Sequence, residues 1–308
     1  MLLDTTNSDG IPPCRLKIKR GYYGNSQLCS PAKVHLYTRL QLIMSRVNVG
    51  HYLKGYQMKF TILGSGTSTG IPMVGCSCKV CRSADPKDNR TRTSLLVENE
   101  GRCILVDTST DLRIQAIREN IPYIDAVLFT HAHADHIHGI DDLRGFHFIH
   151  KNIIPCYASE ETLFNIDSKF AYIFTGHSHY GYHQLLEPHA VDKPFQLFGL
   201  TVTPVPLMHG SMITTGFRFN DFAYLTDCSS IPDESMNLLH GLDVLVIDAL
   251  RHTPHPHHFN IAGAVAVSQQ IGAGRTFLTH LTHEISHSDE TSLPEGVFFA
   301  YDGLALKL

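Results

Sequence analysis

The sequence has no tryptophan, and no apolar run in its 308 residues approaches the 18 or more needed to cross a bilayer. Neither a spanning helix nor a secretory signal is therefore expected, and the chain reads as cytoplasmic, with no membrane partner. Positive charge is scarce in the body. Residues 1–57 hold 8 of the 25 Lys+Arg and 2 of the 29 Asp+Glu, which leaves 17 − 27 = −10 for residues 58–308. Such a body is no bulk polyanion binder, so nucleic acid is not an expected partner. Repeats and low-complexity tracts are missing too, and 43% hydrophobic with 18% charged residues excludes a disordered or fibrous chain. What the chain has in excess is histidine, 21 residues beside 8 cysteines, and that points to metal before any motif is read.

Residues 1–57 contain Asp9-Gly10, Pro12-Pro13 and scattered basic residues with no sustained apolar period, so a poorly ordered basic extension is expected there. Met58 is a competing start, and a transit peptide a competing reading, against which Asp4 and Asp9 speak. From residue 58 the chain alternates β-rich and helical runs. Strands are expected at 59–63, 94–97, 103–106, 126–130, 200–205, 214–219, 222–225, 244–247 and 276–279, and helices near 112–119 and 261–271. Hairpin-spaced strands mixed with crossover helices predict an α+β or α/β fold whose mixed sheets carry helices on their outer faces. Gly64, Gly66 and Gly70 miss the GxGxxG spacing and no GK[ST] follows, so that loop is read as structural.

The block His131-Ala132-His133-Ala134-Asp135-His136 follows a predicted strand. In extended chain alternate residues face one way, so His131 and His133 point at one ion while Asp135 and His136 turn toward another as a helix begins. Three later β-rich runs end in further donors: 202–207 leads into His209, 223–226 into Asp227, and 276–279 into His280. Each alone reads sooner as a capping or satisfied polar residue; their shared strand-end setting makes them candidate ligands. A carboxylate can bridge two ions about 3.5–4 Å apart. Separately, Cys76, Cys78 and Cys81 form a CxCx2C cluster, one ligand short of a closed tetrahedral zinc. Spacing leaves the fourth ligand open among Cys103, Cys156, Cys228 and several histidines. His177, His179 and His183 have no Asp or Cys at ligand spacing and read as a solvated or substrate-side loop.

The HxHxDH block with His209, Asp227 and His280 resembles the metallo-β-lactamase superfamily, over a stretch from Met58 almost to Leu308. The resemblance implies an αββα sandwich as the catalytic domain, 58–308, with the metals at one edge. It implies His131, His133 and His209 on one ion, Asp135, His136 and His280 on the other, and Asp227 bridging. Asp107 falls where the family has an Asp that orients a ligand histidine, its alternative being a plain strand-end aspartate. The CxCx2C cluster narrows the resemblance to PhnP-like phosphodiesterases. That implies His283, three residues past His280, as the fourth ligand of a structural zinc.

The same resemblance implies His258 as general acid for the leaving oxygen, with His255 and His257 as rivals. Asp248 either supports that loop or only ends a strand, and Arg144 is read as pairing with a neighbouring Asp. The expected activity is a dinuclear, zinc- or manganese-dependent phosphodiesterase with Asp227 and His258 as catalytic residues. Its substrate would be a small cyclic or ribose-linked phosphodiester like 5-phosphoribosyl 1,2-cyclic phosphate, attacked by a hydroxide held between the ions. Alternatives are a tRNase Z-like nuclease, a thioesterase or lactonase, or a PqqB-like metal-binding carrier. A homodimer is compatible with the sequence.

Overall fold

The computed structural model describes residues 58–175 and 183–308; the N-terminal extension, His177 and His179 lie outside the described residues. Strands β1 (Lys59–Gly64), β2 (Ser94–Asn99), β3 (Arg102–Val106), β4 (Ala126–Leu128), β5 (Ile154–Ala158) and β6 (Leu186–Ala190) come first. They are followed by β7 (Phe195–Leu197), β8 (Leu200–His209), β9 (Met212–Phe219), β10 (Phe222–Leu225), β11 (Val244–Asp248), β12 (Arg275–Thr279), β13 (Val297–Phe299) and β14 (Ala305–Lys307). They form two seven-stranded sheets, in the orders β14-β1-β2-β3-β4-β5-β6 and β13-β12-β11-β10-β9-β8-β7. Each is mixed: β3 to β6 pair in parallel in one and β10 to β13 in the other, while the remaining pairs are antiparallel.

Alternation along each strand builds a layered core. On β3, Ile104 and Val106 face the other sheet, whereas Cys103 and Leu105 face outward under helices. The inter-sheet layer includes Phe60 of β1 stacked on Phe222 of β10 at 3.7 Å between ring centroids, and burying such rings is the largest favourable contribution a core side chain makes. Outside the first sheet lie α1 (Leu112–Arg118), α2 (Ala134–Ile137), α3 (Leu143–His150) and α4 (Glu160–Thr175). Outside the second lie α5 (Asp233–Met236) and α6 (Ile261–Ile271). This is the αββα sandwich that the resemblance implied.

The expected strands and helices are all present; 222–225 and 261–271 keep their ends and the others shift. The run read as 126–130 leaves its ladder at Leu128, and the run read as 200–205 continues to His209, because β8 pairs with β9 through to His209–Met212. The helix read as 112–119 ends at Arg118. The glycine loop is structural: a Cβ on Gly64 would run into the carbonyl of Arg92, and Gly66 bridges Arg92 on one side and Leu281 on the other. Among the described residues no helix is long and apolar enough to cross a membrane.

Candidate metal centre

Strand ends from both sheets meet in the site, and six of them deliver a chemical group. β3 is followed by Asp107, β4 runs on to His131, β8 ends at His209, β10 is followed by Asp227, β11 ends at Asp248, and β12 is followed by His280. Three of these, Asp107 (φ 61°), Asp227 (φ 53°) and His280 (φ 60°), stand in the left-handed region, which turns the chain sharply out of its strand.

The donor atoms of His131, His133, His209 and Asp227 lie within 4.8 Å of one another, as do those of Asp135, His136 and His280. Asp227 faces both groups: its Oδ1 is 3.9 Å from His131 Nε2 and 3.4 Å from His280 Nε2, and its Oδ2 is 3.1 Å from His136 Nε2. His131, His136 and His280 are essentially buried, yet their Nε2 atoms have no hydrogen-bond partner among the described residues. Buried polar atoms without partners are costly, so a cluster of imidazole nitrogens converging on carboxylates is a site shaped for cations. These residues therefore fit the two divalent ions that the fold implies.

In His131, His136 and His209 the other ring nitrogen is tied back, which fixes tautomer and orientation. Asp107 Oδ2 accepts from His136 Nδ1 at 2.7 Å and from the Thr130 hydroxyl at 2.8 Å; that hydroxyl in turn accepts from His131 Nδ1 at 3.0 Å. The carbonyl of His257 holds His209 Nδ1 at 2.7 Å. Electrostatics divide the rings. Burial and the neighbouring His136 push His131 well below its ordinary value, and burial takes His209 down to about 4. Burial opposes protonation of His136 and His280 as well, but the facing carboxylates outweigh it, raising His136 strongly and His280 to about 9. Burial would likewise raise Asp135, and the opposing His136 and His280 hold it far below the usual carboxylate range instead.

A second group sits beneath this one. His283 Nδ1 lies 3.2, 3.5 and 3.6 Å from the sulfurs of Cys76, Cys78 and Cys81. Tetrahedral zinc with Zn–S of about 2.3 Å and Zn–N of about 2.0 Å has S···N edges of roughly 3.5 Å, so these four residues fit a closed zinc site. Cys103, Cys156 and Cys228, the other ligands that spacing left open, are buried elsewhere in the sheets and loops. Arg90, itself buried, pairs with Asp88 at 3.1 Å and donates to the carbonyl of Ile285 at 2.8 Å; Asp88 also accepts from the backbone of His287. The segment bearing His280 and His283 is thus pinned from the CxCx2C side.

His258, largely buried, stands beside the cluster, its donor atom within 4.8 Å of those of Asp227 and His280. Asp248 Oδ2 holds its Nδ1 at 2.7 Å, so Asp248 supports this loop as well as ending β11. Among the described residues no carboxylate bonds His255 or His257 in this way; His257 is exposed and contributes its carbonyl instead. Arg144 pairs with Asp141 at 3.0 Å, away from the donors. Sequence reading missed Thr130, the His257 carbonyl and Lys169, whose Nζ donates to the Ala132 carbonyl at 2.6 Å between two of the histidines. A hydroxyl directly before the HxHxDH block was the one visible sign of Thr130.

Comparison with known proteins agrees with this geometry. A family model described as a Beta-lactamase superfamily domain matches residues 102–281. The solved structure of a diphosphatase from the PhnP family is 44% identical with a TM-score of 0.77, over 82% of this chain and 97% of that one. An octanoyltransferase of Porphyromonas gingivalis is 41% identical over 255 residues, 80% of this chain but 51% of that protein, so the chain spans about half the length of this relative. Coenzyme PQQ synthesis protein B of Methylobacterium radiotolerans is 26% identical over 227 residues, 62% of this chain and 72% of its own. Fold, paired donor groups and these matches together make this chain a member of the metallo-β-lactamase superfamily, in its PhnP family.

Proposed function

We propose that this chain is a metal-dependent phosphodiesterase acting on a small cyclic or ribose-linked phosphodiester, of which 5-phosphoribosyl 1,2-cyclic phosphate is the leading candidate. The observation that carries the reading is the His258–Asp248 pair beside the donor cluster. Cleaving a phosphodiester expels an alkoxide, a poor leaving group that needs a proton, whereas a thioester expels a thiolate that needs none at neutral pH. The similarity to a PhnP-family diphosphatase supports phosphoryl chemistry. The octanoyltransferase name belongs to a protein about twice as long as the stretch it shares with this chain.

His131, His133 and His209 would hold one ion, Asp135, His136 and His280 the other, with Asp227 between them. Two divalent ions there would supply positive charge against the phosphoryl oxygens and lower the pKa of water. The chain's own groups do the remainder. Asp107, Thr130 and the His257 carbonyl hold the Nδ1 sides of His136, His131 and His209, which keeps these three imidazoles oriented during reaction. Asp248 accepts from His258 Nδ1–H, which leaves Nε2 to carry a proton to the departing oxygen. The lower centre, Cys76, Cys78, Cys81 and His283, would take one structural zinc and no substrate, since four protein ligands complete its coordination.

A hydrolysis panel on protein of defined metal content tests this: 5-phosphoribosyl 1,2-cyclic phosphate and a bis-aryl phosphodiester against a thioester and a lactone, with His258→Ala alongside. Turnover of the phosphodiesters that falls in the variant is the expected result. Preference for thioester or lactone, or no turnover of any diester, rejects it.

A further inference from the structure

Two helices outside the first sheet carry a second apolar stripe that the described residues leave uncovered. On α3, Leu143 is buried and Phe146 packs against the core, which is the one stripe a surface helix needs. On its outward side Gly145, Phe148 and Ile149 stand at i, i+3 and i+4, with Phe148 57% and Ile149 74% exposed. α1 repeats the pattern. Leu112 and Gln115 are buried, while Ile114 (57% exposed) and Ile117 (61% exposed) follow at i and i+3 on the outside. Between the two helices runs a groove of about 490 Å³, lined by Ala116, Ile117, Ile121, Gly145, Phe146 and Ile149.

Gly145 is a second sign that something rests there. It sits inside α3, where glycine weakens a helix relative to alanine, yet a Cβ built on it would meet no described atom within 4 Å. The chain's own packing therefore does not ask for glycine, whereas a helix laid across the groove from outside does, because a missing side chain lets backbones approach. The rim carries both signs and pairs them: Arg118 with Glu119 and Asp302, Arg144 with Asp141, and Arg113 beside Asp142. A rim without one dominant sign selects neither a polyanion nor an anionic membrane, and it suits a copy of itself. The area agrees. At about 200 Å² for a large apolar side chain, the exposed parts of Ile114, Ile117, Phe148 and Ile149 come to roughly 500 Å². That is close to the apolar two thirds or so of the roughly 800 Å² that each partner in a standard interface buries.

We infer that the face formed by α1 and α3 is the interface of a two-fold homodimer, in which Ile149 of each copy seats against Gly145 of the partner subunit. Knob and gap lie one helical turn apart on the same face, so a two-fold axis lets each copy fill the gap of the other. The four helices then pack ridge into groove, and the exposed isoleucines leave water together.

Sedimentation equilibrium of full-length, metal-loaded protein from about 1 to 100 µM tests this on wild type, Ile149→Glu, Gly145→Leu and Ile213→Glu. Ile213, on β9 in the other sheet, is 61% exposed and serves as the control for an added surface charge. Dimeric wild type and I213E are expected, with a dissociation constant raised roughly 100-fold or more in both I149E and G145L. Leucine favours a helix more than glycine does, so G145L keeps the monomer folded, and a circular-dichroism melt at low concentration confirms it. Should I149E lose its fold, G145L alone decides. Wild type that stays monomeric across the range overturns the inference, as does a dimer that a folded I149E or G145L leaves intact. Equal weakening in I213E overturns it too, because the contact would then answer to charge and not to this face. An open series of larger species has the same force, since a two-fold contact closes on itself.

Discussion

His258 leans on Asp248 through a single 2.7 Å contact, and that contact sets a graded expectation. Replacing His258 by Ala should lower kcat by about 10²–10⁴-fold on a diester with an alkyl leaving group and much less on one that expels 4-nitrophenolate, which departs without a proton. Steady-state kinetics on the two substrates check this; equal losses would make His258 a ligand instead of an acid. At the lower centre, the backbone N–H of Cys81 and the neighbouring Cys76 and His283 bring Cys78 down to about 6, while burial pushes Cys81 up to about 11. A thiol lowered from 9.0 is thiolate above its folded value, so in metal-free protein Cys78 should alkylate first at pH 7, slowing as pH falls through about 6. Peptide mass spectrometry after iodoacetamide would read the order, and metal loading should abolish it. The donors themselves were legible because ligand types crowd at strand ends. His258 could not be separated from His255 and His257, since what distinguishes it is a hydrogen bond to a residue ten positions away. Thr130, the His257 carbonyl and Lys169 were hidden for a related reason: their roles lie in backbone or second partners, which residue type does not reveal.

Elements were legible where both faces are buried. β3, β10 and β11 are largely continuous apolar runs and read directly as strands, because each is covered by the other sheet on one side and helices on the other. β6, the edge strand Leu186–Ala190, has only Leu186 buried and carries Pro188, so no pattern marked it. α4 was missed because its apolar period breaks at the kink after Lys169. The loop from Asp88 to Arg90 and the segment from Thr282 to His287 form an element no periodicity could show, closed by a buried ion pair. Arg90→Met leaves Asp88 buried and unpaired and should cost about 3–5 kcal/mol of stability. Denaturant melts of the metal-free variant would measure it; a loss below about 1 kcal/mol would show that the loop is held by the cysteine cluster alone.

Across the described residues, two seven-stranded sheets bring six strand ends from distant sequence to one site, which is why the site needs the complete sandwich. Three bound ions per chain are expected by elemental analysis, and Cys76→Ser with Cys78→Ser should reduce the count to two. Because His280 and His283 share one short segment, the same variant should also weaken retention of the remaining metal, seen as faster loss to a chelator. The left-handed residues after β10 and β12 have a further consequence. Asp227 and His280 each occupy a conformation that costs an ordinary residue about 1 kcal/mol or more and a glycine nothing. A library randomised at these two positions and sorted for thermal stability without metal should drift to glycine and asparagine, while the same library sorted for metal-dependent turnover should return aspartate and histidine. Such a split would measure how far the scaffold, left to itself, prefers to be an empty sandwich.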